Sequence, residues 1–320
     1  MFRKSMVEKM GLMLGGAGIG ILTYSLYGRT FIPKTPSTIY PVPNSQAPIS
    51  SMPSPNAELL KYGFPGPISD FRNRQGYVAS HNRMLRNPNF VLELLTKDKL
   101  INRDNASRDH SKFMEDKGVP ELFRAKLSDY RRSGYDRGHM APAADFKSSQ
   151  EAMDETFYLT NMAPQVGQGF NRDYWAWLED YCRKLTTKFS EVYVLTGPLY
   201  LPTKGPQFPD PDKWYVQYEV IGNPPNIAVP THFFKVILAI PHDSSKPSLA
   251  GFLLPNRVIP DNVPLTQFQV PIETIEKAAG AVFFDRLGPN KEKELANLCS
   301  TVPCQLHIKK FNEQGKLLTK

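Results

Sequence analysis

The sequence is short of cysteine. Its 320 residues hold three, Cys182, Cys299 and Cys304, an odd and sparse set that argues against a secreted disulfide scaffold. No CxxC pair occurs, which removes the usual cysteine-based zinc sites. Histidine is equally sparse. The six lie at positions 81, 110, 139, 232, 242 and 307, with no HxH or HxxxH spacing, so a zinc hydrolase built on a histidine pair is not expected. Glycine-rich phosphate loops are missing from the folded part, and the one glycine cluster lies near the N-terminus. Strict βαβ alternation is also missing, which argues against a doubly wound parallel sheet. No strong excess of one charge sign is present. The net charge is +8, with +4 in residues 1–68 and +4 in the remainder, a balance that suits a polyanionic partner without requiring one. What is present is an ordinary globular composition, 41% hydrophobic and 22% charged, with material for one large core.

The N-terminus reads as an address. Arg3, Lys4 and Lys9 stand against a single Glu8, residues 10–28 are uncharged, and Arg29 closes the stretch. Its length sits at the lower edge of a membrane span, and five glycines between Gly11 and Gly20 weaken its apolar drive. Gly11/Gly15 and Gly16/Gly20 have the small-xxx-small spacing of closely packed membrane helices. No small-residue cleavage site follows, which disfavours a secretory signal. Residues 1–30 are therefore read as a mitochondrial targeting segment that can also anchor the chain in a membrane. Residues 31–68 hold 9 of the 29 prolines, so residues 31–58 are read as an extended linker and residues 59–320 as the folded domain.

Within that domain, hydrophobic patterning predicts strands over 77–82, 89–96, 156–161, 192–196, 214–221, 232–240 and 249–254. It predicts helices over 119–127, with Pro120 in the first turn, over 170–186 and over 271–279. The sum is a strand-rich α+β domain. Cys299 and Cys304 are close enough to pair in an oxidising compartment, but they are read as two unpaired small residues near the end of the domain.

Three local features carry chemistry. Tyr135-Asp136-Arg137-Gly138-His139-Met140 sets a base, a cation and a free-turning glycine side by side. If this stretch is extended, Arg137 and His139 share a face. Asn161 follows the strand expected at 156–161 and is either a turn former or a hydrogen-bond partner for a catalytic group. On the helix expected from 170, Asn171, Trp175 and Glu179 are spaced i, i+4, i+8 and share a face. Asn171 offers a hard oxygen suited to Mg²⁺, and Glu179 could hold a water beside it. Together these are the parts that phosphodiester hydrolysis needs: a base for water, a divalent cation and a phosphate clamp.

The order and spacing of these residues resemble the DNA/RNA non-specific endonuclease family, which includes endonuclease G and secreted bacterial nucleases. Its D-R-G-H signature reads here Asp136-Arg137-Gly138-His139, followed by Met140 and, further on, the small Ala144. Thr196-Gly197-Pro198-Leu199-Tyr200 and Val220-Ile221-Gly222-Asn223-Pro224-Pro225 also look like the family. So does Lys61-Tyr62-Gly63-Phe64-Pro65-Gly66, which with the N-terminus is similar to the fungal mitochondrial branch. The resemblance spans residues 60–310. It implies a ββα-metal finger set into a mixed α/β domain with a central antiparallel-rich sheet. It further implies His139 as general base, Asn171 as metal ligand, Glu179 orienting a metal-bound water, Asn161 positioning the site and Arg137 as the signature arginine. An upstream arginine contacts phosphate in the family; Arg108 is the candidate, with Arg103 still open. Mg²⁺, replaceable by Mn²⁺, is the implied cofactor. DNA and RNA are the implied substrates, with 5′-phosphate and 3′-hydroxyl products and fastest cleavage at low ionic strength. A homodimer is the implied assembly, in the mitochondrial inner membrane or intermembrane space. The competing reading is a membrane-tethered nucleic-acid-binding protein without catalysis, against which the filled base, ligand and water-orienting positions argue.

Overall fold

The computed structural model describes residues 57–63, 70–101 and 106–308. The targeting segment, the linker up to residue 56 and Arg103 lie outside them. An eight-stranded sheet forms the centre. Its strands are β1 (Asp70–Asn73), β2 (Tyr77–Asn82), β3 (Asn87–Leu95), β6 (Phe189–Leu199), β9 (His232–Pro241), β10 (Ser248–Pro255) and β11 (Gln269–Val270), in that spatial order and antiparallel throughout. The eighth, β12 (Ala296–Asn297), runs parallel to β10. Two small antiparallel pairs stand apart, β4 (Tyr135–His139) with β5 (Met162–Val166), and β7 (Val220–Ile221) with β8 (Ile227–Ala228). Among the described residues, the helices of six or more residues are α1 (Gln150–Glu155), α2 (Tyr174–Leu185) and α3 (Ile272–Ala279).

The central strands β3, β6 and β9 are buried nearly end to end, which is why they read as almost continuous apolar runs rather than as alternation. One face of the sheet contributes Val91, Val192, Val194, Ile237 and Ala239 to a cluster completed by Trp175, Leu178, Cys182 and Leu185 of α2. The apolar side chains of α2 recur at helical spacing and bury one stripe against the sheet. Trp175 lies within that stripe and packs on Phe170 and Phe233. The helix is thus fixed to the sheet by its inner face, and its outer face is free for a site.

The mixed α+β class and the antiparallel sheet agree with the sequence reading, and so do the strands at 77–82, 232–240 and 249–254. Several elements differ. Residues 156–161 are not a strand: they end in a 3-10 turn, Leu159–Asn161, and the strand begins only at Met162. Residues 119–127 hold one 3-10 turn, Glu121–Phe123, because Pro120 caps it in an extended conformation and no apolar stripe drives a longer helix. Of residues 214–221 only Val220–Ile221 form a strand, and Trp214 is 67% exposed. Cys299 and Cys304 are joined in a disulfide, contrary to the unpaired reading. Asn297 caps the helical turn Leu298–Thr301 through the Cys299 amide, and so helps hold the two cysteines five residues apart in bonding range.

A buried histidine gives the fold an acid-sensitive element. His81 on β2 is fully buried, and neither ring nitrogen has a hydrogen-bond partner. Burial lowers its pKa to about 4, with Asp70 acting the other way and Arg72 adding to the depression. The unfolded chain takes up a proton near pH 6.5 that the fold refuses until about pH 4. Stability is therefore full above the unfolded value and is lost as pH falls toward the folded one, by about 3 kcal/mol from this group. Thermal melts of His81→Gln between neutral and acid pH should fall less steeply than those of the parent. Parallel curves would show that His81 does not carry the effect.

Candidate active site

The site is built on the β4–β5 hairpin and the outer face of α2, a ββα unit. On β4, Tyr135, Arg137 and His139 alternate with Asp136 and Gly138, and all three line one cleft of about 860 Å³. Gly138 is needed for close packing. A Cβ there would overlap the buried side chain of Gln165, which pairs with Asp136 on β5, with its Cγ at 2.6 Å. The hairpin can therefore close only with glycine between the arginine and the histidine.

His139 is 8% exposed. Its ring meets Phe157 edge-on at 4.9 Å and Phe113 at 5.7 Å, and its Nε2 is buried without a hydrogen-bond partner. Burial, reinforced by the nearby Arg108 and Arg137, lowers its pKa to about 3. The imidazole is thus a free base through the neutral range. Behind it, Asn161 is fully buried and clamps the chain that leaves β4. Its Oδ1 accepts from the Ala141 amide at 2.9 Å, and its Nδ2 donates to the carbonyls of Ala141 at 2.9 Å and Thr156 at 2.8 Å. Its own carbonyl accepts from the Met140 amide.

Asn171 does not lie on a continuous helix with Glu179, as the spacing suggested. Residues Gly167–Asn171 form an irregular turn in which Gln168 is extended and Gly169 adopts φ +81°. A side chain at that φ would be strained, so glycine permits the turn that delivers Asn171 to the cleft. Helix α2 starts only at Tyr174, after Asp173, whose carboxylate accepts from the Gly169 amide at 2.6 Å. The face turned to the cleft carries Arg172, Ala176 and Glu179, while Trp175 points into the core.

Asp136 ties this turn to β4. It accepts from Asn171 Nδ2 at 2.9 Å and from Arg172 Nε and Nη2 at 2.8 and 2.6 Å. Burial pushes its carboxyl up, but Arg172 and Asn171 outweigh this and hold it below the ordinary value. An ionised carboxylate only accepts, so it fixes the Asn171 amide with nitrogen toward Asp136 and leaves Oδ1 outside that contact. Glu179 is driven the other way, to about 7, by burial, against the pull of Lys235 and Arg183.

The cleft brings together His139, Arg137, Asn171, Glu179 and Arg108, with Asn161 behind them. It also holds Arg131, Arg172 and Tyr135, to which the sequence alone assigns no role. Arg172 was within reach, since it adjoins Asn171. Four arginines line the cleft against two carboxylates, Asp136 and Glu179, and Asp136 is already paired. Such a surface favours an anion. Among the described residues, no three of His, Cys, Asp and Glu come together as a metal cage. An amide oxygen and one carboxylate on the same cleft instead suit a hard divalent cation that keeps most of its waters.

The profile of the DNA/RNA non-specific endonuclease family matches residues 55–290. The chain is 46% identical to "Nuclease 1, mitochondrial" of Schizosaccharomyces pombe, over 98% of this chain and 97% of the relative. It is 49% identical to "Mitochondrial nuclease" of Saccharomyces cerevisiae, over 94% and 92%. A crystal structure of an EndoG/EndoGI complex superposes with TM-score 0.71 and 47% identity, covering 77% of this chain and 96% of that one. Together with the ββα cleft, these matches make the chain a member of the DNA/RNA non-specific endonuclease family, an enzyme that cleaves phosphodiester bonds.

Proposed function

We infer that the chain hydrolyses both DNA and RNA, single- or double-stranded, through a water deprotonated by His139, leaving 5′-phosphate and 3′-hydroxyl ends. One observation carries this reading: a neutral, buried imidazole with a free Nε2 faces a cleft lined by four arginines. The geometry supports a division of labour. Arg137 and Arg108 bind the scissile phosphate, and the remaining arginines, Arg131 and Arg172, extend the same field. His139 takes the proton from water in the cleft. Asn161 holds the backbone beyond His139 in register, and Glu179 orients the water by accepting its hydrogen bond. Asp136 serves structure, by aiming Asn171.

Mg²⁺, with Mn²⁺ as a substitute, fits the donors present, with Asn171 as its protein ligand and Glu179 beside it. When bound it supplies neutralisation of the charge that develops on the phosphate and the leaving 3′-oxygen. The arginines address phosphate, which carries no sequence information, so cleavage is indifferent to base and sugar. Residues 59–320 form the catalytic domain, preceded by the targeting or anchor segment 1–30 and the linker 31–58. The enzyme works as a homodimer at the inner membrane or in the intermembrane space of the mitochondrion; its mitochondrial relatives support the organelle.

End-mapping tests the reading. Fragments produced by the full chain should ligate without prior phosphorylation, EDTA should stop their formation, and added Mg²⁺ should restore it. Products ending in 3′-phosphate, or cleavage that resists EDTA, would overturn it.

A further inference from the structure

The residues assigned above are held by two phenylalanines that no motif contains. Phe113 and Phe157 meet at 5.0 Å, edge to face, and His139 closes a triangle with them. Each ring also carries a guanidinium. Arg137 sits 4.0 Å from the centre of Phe113, and Arg108 sits 5.7 Å from the centre of Phe157. The two segments are pinned together by their backbones. The Met114 amide donates to the Phe157 carbonyl at 3.0 Å, and the Leu159 amide donates to the Met114 carbonyl at 2.8 Å.

We propose that Phe113 and Phe157 are positioning residues for phosphate binding: each carries one arginine over its ring and also packs against the imidazole, so that base and clamp are set by one aromatic wall. The physical reason lies in the ring quadrupole. A negative ring face attracts a cation, while an apolar ring excludes water from its neighbour. Among the described residues, the guanidinium groups of Arg108 and Arg137 make no hydrogen bond or ion pair; the rings are the contacts that hold them. An arginine stacked on a ring keeps its N–H groups directed sideways, available to phosphate oxygens. The wall thus allows two cations to lie near a base without a carboxylate to restrain them, and an added carboxylate would repel the substrate.

This inference rests on the assignment of His139, Arg108 and Arg137 given above. Phe113 is the better test, since it is partly exposed in the cleft and Phe157 is buried in the core. Phe113→Leu keeps an apolar side chain but removes the ring face. In the full chain, KM for a short oligonucleotide should rise about five- to tenfold, the scale of a partly exposed cation–π contact, with kcat changed much less. Phe113→Tyr should restore most of that loss. In an Arg137→Ala background, Phe113→Leu should cost little more, because the ring acts through the guanidinium. Equal losses from Phe113→Leu with and without Arg137 would overturn the proposal, as would a fall confined to kcat. Circular dichroism melts of each variant separate these results from unfolding: a Phe113→Leu protein that melts like the parent and keeps the parent KM also refutes it. Failure of the parent itself to cleave would instead refute the assignment of function.

Discussion

His139→Ala is expected to lower kcat by about 10²- to 10⁴-fold, the contribution of a positioned general base, while the protein keeps its fold and its affinity for nucleic acid. Phe113 and Phe157 exclude water from the ring, and Arg108 and Arg137 oppose its protonation, so the pKa falls to about 3. A base so depressed is a weak one in solution terms, but it is unprotonated throughout the neutral range. Loss of activity on mild acidification therefore does not report on His139. The group in the cleft that titrates near neutrality is Glu179, raised to about 7. Its carboxylate form grows as pH rises through that value, so kcat/KM at low cation concentration should climb through neutrality in the parent. His139→Ala should lose activity across the whole range rather than at one end. Exogenous imidazole, small enough for the cavity that the substitution leaves, should restore part of the rate. A variant with unimpaired kcat would remove His139 from the mechanism.

The second large effect belongs to Asn171. Asn171→Ala removes the amide oxygen assigned to the cation, and the Mg²⁺ concentration for half-maximal rate should rise by at least about 100-fold, above the 10- to 100-fold typical of groups that merely orient a ligand. Asp136→Asn falls in that lower range. It retains shape but replaces an acceptor-only carboxylate with a group that can also donate, so the Asn171 amide is free to turn over. It also breaks the two-pronged contact with Arg172. The two variants differ from His139→Ala in one respect: high Mg²⁺ should recover their rate and should not recover that of His139→Ala. The measurement is a Mg²⁺ titration of initial rate for all three. Equal half-saturation in Asn171→Ala and the parent would exclude Asn171 as ligand.

The sequence was informative where local pattern and tertiary structure agree. The apolar runs of β9 and β10 are long, and their burial leaves no other conformation open. Residues 170–186 announced a helix, and its inner stripe is the one that packs on the sheet. Its start was misplaced because Gly169 and Asp173 allow a turn that periodicity does not register. The consequence is functional: the face shared by Asn171 and Glu179 is made by that turn together with Arg172 and Ala176, and Trp175 is absent from it. Residues 156–161 carry β-forming side chains, yet Phe157 and Leu159 are drawn under the 113–114 segment by two backbone hydrogen bonds. The strand then forms on 162–166 despite Pro164, which a two-stranded hairpin tolerates because one side of each strand is unpaired. The aromatic wall was invisible for a different reason. Phe113, Phe157 and His139 converge from three separate segments, and nothing in the spacing of two phenylalanines indicates that they flank one imidazole.

One claim is central: a single cleft cuts both DNA and RNA because it recognises nucleic acid through phosphate alone. The most direct test gives one preparation of the full chain a supercoiled plasmid and a structured RNA in the same Mg²⁺ buffer, beside the His139→Ala chain. Both substrates should be cut by the parent, both reactions should stop with EDTA, and neither should proceed in the variant. Cleavage of only one substrate by the parent, or persistence of either reaction in His139→Ala, would contradict the claim.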